Sequence, residues 1–322
     1  MALFKRLFAV LALVSLASAT CSKPPVRKEW RTLSDHEKKS YISAVKCLQA
    51  KSPRTSSYFS GVRTRYDDFV AAHINATDYV HFVVYWTLDA TEEDFPKAPI
   101  FDAVTGFGGN GYYIDSSNDT SVRLRIPGKT GGGCVTDGPF RNYTVNMGPN
   151  NSTAYNPRCL TRDFSPWLAS QKLNMTVVDK ALAGKTFQEF DVAVQARVEV
   201  DGLTYHGGGH LGVGGELGAI GDLYSSPSDP LFFFHHANMD RIWFTWESQD
   251  LERRVKDISG PDTQFAYPFD FFGDVAYRNV TLDYQMHFGA LSNSTWVRVG
   301  DVMDIQSGVL CYGYDELYGS TR

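Results

Sequence analysis

From Asp229 to Trp243 the chain reads Asp-Pro-Leu-Phe-Phe-Phe-His-His-Ala-Asn-Met-Asp-Arg-Ile-Trp, and this stretch constrains the fold more than any other. Proline is tolerated at the first helical position, where its missing N–H would be unpaired anyway, so Asp229-Pro230 predicts a helix start. Helical spacing then places Phe232, His236, Met239 and Trp243 on one inward face. An imidazole on such a face has two readings: a core histidine bonded to Asp240 one turn later, or a metal ligand that a nearby carboxylate orients.

Other histidines repeat the theme. His206 and His210 stand four apart, which puts two imidazoles on one helical face, or leaves a pair of surface histidines. Upstream, Tyr66, Phe69, Val70 and His73 follow helical spacing, with His81 eight residues further on. A capping box at Ser34-Asp35-His36-Glu37 opens another helix, with Tyr41, Ala44, Val45 and Leu48 at helical positions. Residues 100–165 are rich in Gly, Asn, Ser and Pro and read as irregular loops. Short strands are expected near Val192–Val200 and Val297–Val309. The predicted class is mainly α: a helical bundle core wrapped in long loops with a few short strands.

The chain start sets a compartment. Lys5 and Arg6 precede an apolar run from Leu7 to Val14, and Ala17-Ser18-Ala19 has the small-x-small form of a secretory cleavage site. The run is far shorter than the roughly 20 residues of a spanning helix. A signal peptide over 1–19 and one domain over 20–322 follow, hence a secreted protein with no membrane attachment after cleavage. Eight Asn-x-Ser/Thr sequons, at Asn75, Asn118, Asn142, Asn150, Asn151, Asn174, Asn279 and Asn293, then read as glycan acceptors; Asn75, between two of the histidines, is expected to be buried. Five cysteines cannot all pair within one chain, so Cys21, Cys47, Cys134, Cys159 and Cys311 leave an odd thiol. With 31 Lys and Arg against 36 Asp and Glu, the formal charge of −5 excludes the basic footprint of a nucleic-acid binder.

Imidazole clusters on helices suit copper, zinc or iron, and the lack of carboxylates in the coordination shell leans toward copper. Two histidine groups feeding one helical core suggest two adjacent ions, since bundle cores build such sites from facing helices. Competing motifs fail. His206-Gly207-Gly208-Gly209 resembles a lipase oxyanion loop, but the chain has no Gly-x-Ser-x-Gly elbow. Pro127-Gly128-Lys129-Thr130 resembles the end of a P-loop, but Arg123 stands where the first glycine is needed. A mononuclear zinc hydrolase on His206, His210 and His236 lacks a general-base carboxylate in the motif.

The Asp229–Trp243 stretch closely resembles the copper-B signature of the tyrosinase family, Asp-Pro-x-Phe-x-x-His-His-x-x-x-Asp-Arg-x-Trp. The resemblance runs from about Cys21 to Tyr314 and is nearest the short secreted fungal tyrosinases and catechol oxidases. It implies a type-3 dicopper oxidase in which His206, His210 and His236 hold copper B, His73 and His81 begin the copper-A set, and Phe232 packs against the ligand rings. It leaves His235 in a supporting role. The implied substrates are a phenolic small molecule and O2, with o-diphenols leaving as o-quinones. Monophenol hydroxylation is less expected, because Gly207 stands where relatives strong in it carry Asn. Tyr79 excludes the Cys–His thioether of some fungal relatives. Cys311-Tyr312-Gly313-Tyr314 resembles the Tyr-x-Tyr mark closing the family core, with Arg31 as its expected arginine partner.

One departure matters. The family's third copper-A histidine lies nine residues after the second, where this chain has Ala90. The stretch Tyr85-Trp86-Thr87-Leu88-Asp89 instead looks like a Tyr-Trp-Asp-Trp element that the family places further on, as if a core helix were missing after His81. The resemblance pairs the cysteine at the end of that helix with Cys47. It thus implies Cys21–Cys311 and Cys134–Cys159 bonds and an orphaned Cys47. Five large apolar side chains on a buried helix contribute roughly 1.5–3 kcal/mol each, comparable to a domain's whole net stability of about 5–15 kcal/mol. A poorly folding chain with a weak copper A is therefore expected, or a non-catalytic copper-binding glycoprotein retaining only the copper-B ion. Asp89 is the one side chain nearby that could substitute as a ligand.

Overall fold

The computed structural model describes residues 21–75, 84–195, 202–263, 266, 268, 270, 273–287, 289–291 and 296–319. The expected signal peptide and His81 lie outside these residues. The capping box forms: Ser34 Oγ accepts from the Glu37 amide at 3.3 Å and Glu37 accepts from the Ser34 amide at 2.8 Å, opening α1 (Asp35–Ala50). Its buried residues are Ile42 and Val45, with Tyr41 and Leu48 against the core, while Ala44 faces solvent. Helix α2 (Arg65–Asn75) starts where Asp67 accepts from the amides of Arg63 and Thr64 at 3.0 and 2.8 Å. Tyr66, Val70 and His73 are buried on it, as the spacing predicts, while Phe69 is half-buried and Ala71 joins the buried face. Asn75, the last described residue of this segment, is exposed rather than buried.

Residues 100–165 are mostly loop, as their composition predicts, pinned by short antiparallel pairs of β2 (Gly111–Tyr113) with β3 (Gly132–Val135) and β4 (Thr144–Val145) with β5 (Arg158–Cys159). A third antiparallel pair, β6 (Gln285–His287) with β7 (Trp296–Arg298), accounts for the start of the strand expected near Val297–Val309; turns follow it. The strand expected near Val192–Val200 is corrected: residues 192–195 belong to α5 (Phe187–Gln195), and 196–200 lie outside the described residues. Phe187, Phe190 and Val194 recur at helical spacing against the core, and that period overrides the local alternation.

Helix α3 (Pro166–Lys172) is capped by Ser165 and α4 (Met175–Leu182) by Asn174. Next comes α6 (Tyr205–Gly214), the His-Gly-Gly-Gly-His helix. Its glycines answer to packing rather than to an oxyanion loop. A Cβ at Gly208 would stand 2.5 Å from Lys172 Cβ on α3, and one at Gly209 would stand 2.1 Å from the His235 ring. The backbone of α6 is thereby pressed directly against its neighbours.

Helix α7 (Leu231–Ser248) runs through the centre and α8 (Leu251–Arg254) follows. Pro230 takes helical angles just ahead of it, as predicted. The inward face is broader than expected. Phe232 is buried, but so are Phe234, His235, Ala237, Asn238 and Arg241, while His236, Met239 and Trp243 are half-buried. The cause is packing on both sides, since Arg241 donates to the Glu316 carbonyl at 2.7 Å while His235 bonds the His206 carbonyl of α6 at 2.8 Å.

The start of α7 is held by a buried pair. Arg162 donates through Nε and Nη2 to the two oxygens of Asp229 at 2.7 and 3.0 Å, both side chains lacking solvent access. Its Nη1 also donates to the carbonyls of Phe107 and Gly108, tying the middle loops to this helix.

Disulfides join Cys21 to Cys311 and Cys134 to Cys159, and Cys47 remains a free, exposed thiol, as the resemblance implies. Strand β1 (Val26–Arg27) pairs in parallel with β8 (Gly313–Tyr314), setting Arg27 opposite Tyr314. The arginine partner of the Tyr-x-Tyr mark is therefore Arg27, not Arg31. Arg27 lies 3.4 Å from the Tyr312 ring centre and donates to Asp240 and to the Tyr314 hydroxyl at 3.1 Å each. Arg31, in the middle of the 3-10 turn Trp30–Thr32, bonds Asp89 instead, at 2.5 Å. Among the described residues no helix is long and apolar enough to cross a membrane.

Two substitutions test this packing by denaturant unfolding. Arg162→Ala leaves Asp229 buried and uncompensated and should lower stability by about 3–5 kcal/mol. Gly209→Ala should destabilise by about 1–3 kcal/mol through overpacking, although alanine is favoured over glycine by about 1 kcal/mol in an unconstrained helix. A stabilised Gly209→Ala protein would refute the close approach of α6 to His235.

Candidate metal centre

Three helices bring four of the five predicted imidazoles together. Helix α2 supplies His73, α6 supplies His206 and His210, and α7 supplies His236. The rings of His206, His210 and His236 form a nearly equilateral triangle, with centres 4.9, 5.1 and 5.1 Å apart. Nε2 of His210 lies 3.0 Å from Nε2 of His236. Phe232, one turn before His236, stacks on its ring at 4.1 Å and meets His73 edge-on at 4.8 Å, so a single phenyl group separates the α2 imidazole from the α7 imidazole.

Backbone carbonyls orient two of the rings. His73 donates from Nδ1 to the Tyr224 carbonyl at 2.7 Å, and His210 donates from Nδ1 to the Ile220 carbonyl at 2.7 Å. A carbonyl only accepts, so the proton sits on Nδ1 and the lone pair on Nε2 in both. Nε2 of His206 is buried and has no hydrogen-bond partner among the described residues. Burial and the neighbouring imidazoles push His206 down to about 3; burial pushes His210 down to about 4. Burial and the other rings also hold His236 well below the usual histidine range. These are neutral imidazoles whose rings stand close together, a donor set that suits copper, zinc or iron.

His235 is the rival third ligand, since its ring nitrogens and those of His206 and His210 lie within 4.8 Å of one another. Its hydrogen bonds argue against it. Nε2 bonds the His206 carbonyl at 2.8 Å, and Nδ1 accepts from the Trp86 indole N–H at 3.3 Å. The carbonyl can only accept and the indole can only donate, so both nitrogens of His235 are occupied. The ring is the cross-brace between Trp86 and α6. His236 is thereby left as the nitrogen donor facing His206 and His210.

Several expectations change here. Asp240 does not orient His236: it accepts from Arg27 at 3.1 Å and from Tyr312 at 2.8 Å, and the Tyr314 hydroxyl bonds it too. Asp89 does not reach toward a metal, because Arg31 holds it in a partly buried pair. Ala90 packs half-buried against the core. Sequence reasoning missed the supporting groups, namely Trp86 and the Ile220 and Tyr224 carbonyls. A carbonyl has no residue signature, and only the Asp222 turn that aims it offered a hint.

Known proteins resemble this chain in sequence and in fold. A family model described as the common central domain of tyrosinase matches residues 81–249. Tyrosinase P of Aspergillus terreus is 30% identical over 342 aligned positions, covering 91% of this chain and 93% of that protein. An N-acetyl-6-hydroxytryptophan oxidase of Emericella nidulans is 30% identical over 379 positions, covering 98% and 100%. The structure of a mutant polyphenol oxidase from Thermothelomyces thermophila superposes with a TM-score of 0.73 at 29% identity, covering 91% of this chain and 89% of that one. Both alignments with relatives are longer than the 322 residues of this chain, so the relatives carry internal residues that have no counterpart in it. Sequence, fold and histidine arrangement converge, and the chain belongs to the tyrosinase family.

Proposed function

We propose that this chain is a secreted, copper-dependent oxidoreductase of the o-diphenol-oxidising type, with copper B held by His206, His210 and His236. Its copper-A half, begun by His73 and His81, lacks a third imidazole. The observation that carries the reading is the triangle of neutral imidazoles around the partnerless Nε2 of His206. When bound, a copper pair supplies the redox couple between a phenol and O2. The chain's own residues do the rest. The Ile220 and Tyr224 carbonyls fix ring orientation, Phe232 keeps the rings apart and dry, and His235 braces α6 from behind. The named substrate of the Emericella nidulans relative is a hydroxylated aromatic, which fits a phenolic substrate class. Exposed sequons at Asn118, Asn142, Asn151 and Asn279 suit a secreted glycoprotein.

A second reading, a non-catalytic copper-binding glycoprotein, is favoured by Ala90 at the expected ligand position and by the internal residues the relatives have and this chain lacks. Copper stoichiometry and O2 uptake with catechol separate the two. The first reading expects two coppers and catechol oxidation, whereas the second expects one copper and no turnover. A chimera carrying the internal segment of a relative should load two coppers and oxidise catechol. Two coppers and catechol oxidation by the unaltered chain would show copper A to be complete after all.

Ligand identity is separately testable by metal analysis. His236→Ala should abolish copper binding. His235→Ala should retain it while losing about 1–3 kcal/mol of stability, since the Trp86 and His206 groups lose their partner. The reverse pattern would assign the metal to His235.

The depressed imidazoles also fix a pH dependence for the metal-free protein. The unfolded chain protonates these histidines near pH 6.5, whereas His210 and His206 in the fold resist until about 4 and 3. The unfolded state binds more protons across that interval, so stability should be full above pH 6.5 and fall steadily toward pH 4. Unfolding midpoints measured from pH 8 to 4 should decline, and His206→Gln should flatten the decline.

A further inference from the structure

The two carbonyls that orient His73 and His210 belong to one short segment. Ile220 closes on His210 of α6, and four residues later Tyr224 closes on His73 of α2. Between them stands Asp222. Its Oδ1 accepts from the amides of Tyr224 and Ser225 at 3.0 and 2.7 Å, and its Oδ2 accepts from the Asn150 amide at 2.7 Å. The Asp222 amide donates back to the Ala219 carbonyl at 3.2 Å, so the turn is closed on both sides of this residue. The segment is wedged against both helices. A Cβ at Gly214 of α6 would lie 2.4 Å from the Gly221 nitrogen, and the Tyr66 hydroxyl of α2 donates to the Pro227 carbonyl at 2.7 Å.

We propose that Asp222 is a positioning residue that, through one turn, sets the ring orientation of one histidine from each half of the metal centre. The inference rests on the assignment of those histidines under the proposed function. Asp222 touches neither imidazole. It fixes the peptide units whose carbonyls do, and so holds His73 and His210 as Nδ1–H tautomers with their Nε2 lone pairs turned to the site. Its link to Asn150 anchors this turn to the loop beyond β4. Outer partners that orient ligand imidazoles typically govern metal affinity by 10–100-fold.

Nitrogen-15 spectra of the histidine rings read this role without metal. In the metal-free wild-type chain, His73 and His210 should each show the Nδ1–H tautomer. Asp222→Ala should shift both toward Nε2–H and weaken Cu(II) binding by about 10–100-fold. Asp222→Asn keeps an oxygen for the Tyr224 and Ser225 amides and should restore most of both. Asp119→Ala removes another turn-capping carboxylate, on the Ser121 amide and hydroxyl, and should change neither reading. Unchanged tautomers in Asp222→Ala, or equal losses in Asp222→Asn and Asp119→Ala, would overturn the proposal. If Asp222→Ala does not fold, the wild-type spectrum still decides, because an Nε2–H tautomer at His73 or His210 contradicts the proposal outright. Wild-type protein that shows both Nδ1–H tautomers yet takes up no copper would support the positioning role of Asp222 and sink the metal reading instead.

Discussion

A guanidinium and a carboxylate without access to water sit where α7 begins. Arg162 and Asp229 form a forked pair there, and the remaining guanidinium nitrogen is used on loop carbonyls. Desolvating two charges is expensive, and such a pair repays the cost only when the geometry is close to ideal and every donor is used. Asp229 also accepts from the Leu231 amide, so the ion pair and the first turn of α7 share one carboxylate. Everything that makes the centre depends on where α7 starts. A start shifted by one residue would bring His235 to where His236 now faces His206 and His210, an exchange that would break its bonds to Trp86 and the His206 carbonyl.

That exchange shows how closely two adjacent identical residues can be distinguished. His235 has the better burial and comparable proximity, and distance alone would choose it. Hydrogen-bond chemistry is what favours His236 in the proposed centre, because an imidazole has one donor and one acceptor in its neutral form and both nitrogens of His235 are bonded outside the cluster, to Trp86 and the His206 carbonyl. The glycine at 209 exists for the same ring. Without that missing Cβ the His235 imidazole could not lie on the α6 backbone, and α6 could not carry His206 and His210 so near α7.

Much of this was legible in the sequence. Helical periodicity placed α1, α2 and α7, the capping box opened α1, and Asp229-Pro230 opened α7. The i,i+4 histidines of α6 and His236 do converge, since one face of a helix is fixed by its period. Three features were not legible. The strand expected near Val192 is helical because its aromatic neighbours repeat at helical spacing against the core. Arg27 rather than Arg31 serves the Tyr-x-Tyr mark because strand register, invisible locally, decides which arginine faces it. Asp240 binds the chain's two ends instead of His236 for the same long-range reason.

The Cys21–Cys311 bond brings two residues 290 apart in sequence to a Cα separation of 5.4 Å, alongside the β1–β8 pair. Covalently, the described protein is a ring. A single nick in any exposed loop, including the long glycine-rich stretches of the middle third, leaves every piece attached, so a cleaved molecule keeps its mass until the disulfide is reduced. The same closeness makes the order of elements along the chain a matter of where the ring is opened. A circular permutant joined across this seam and opened in a surface loop would present the same three histidine-bearing helices in a new sequence order.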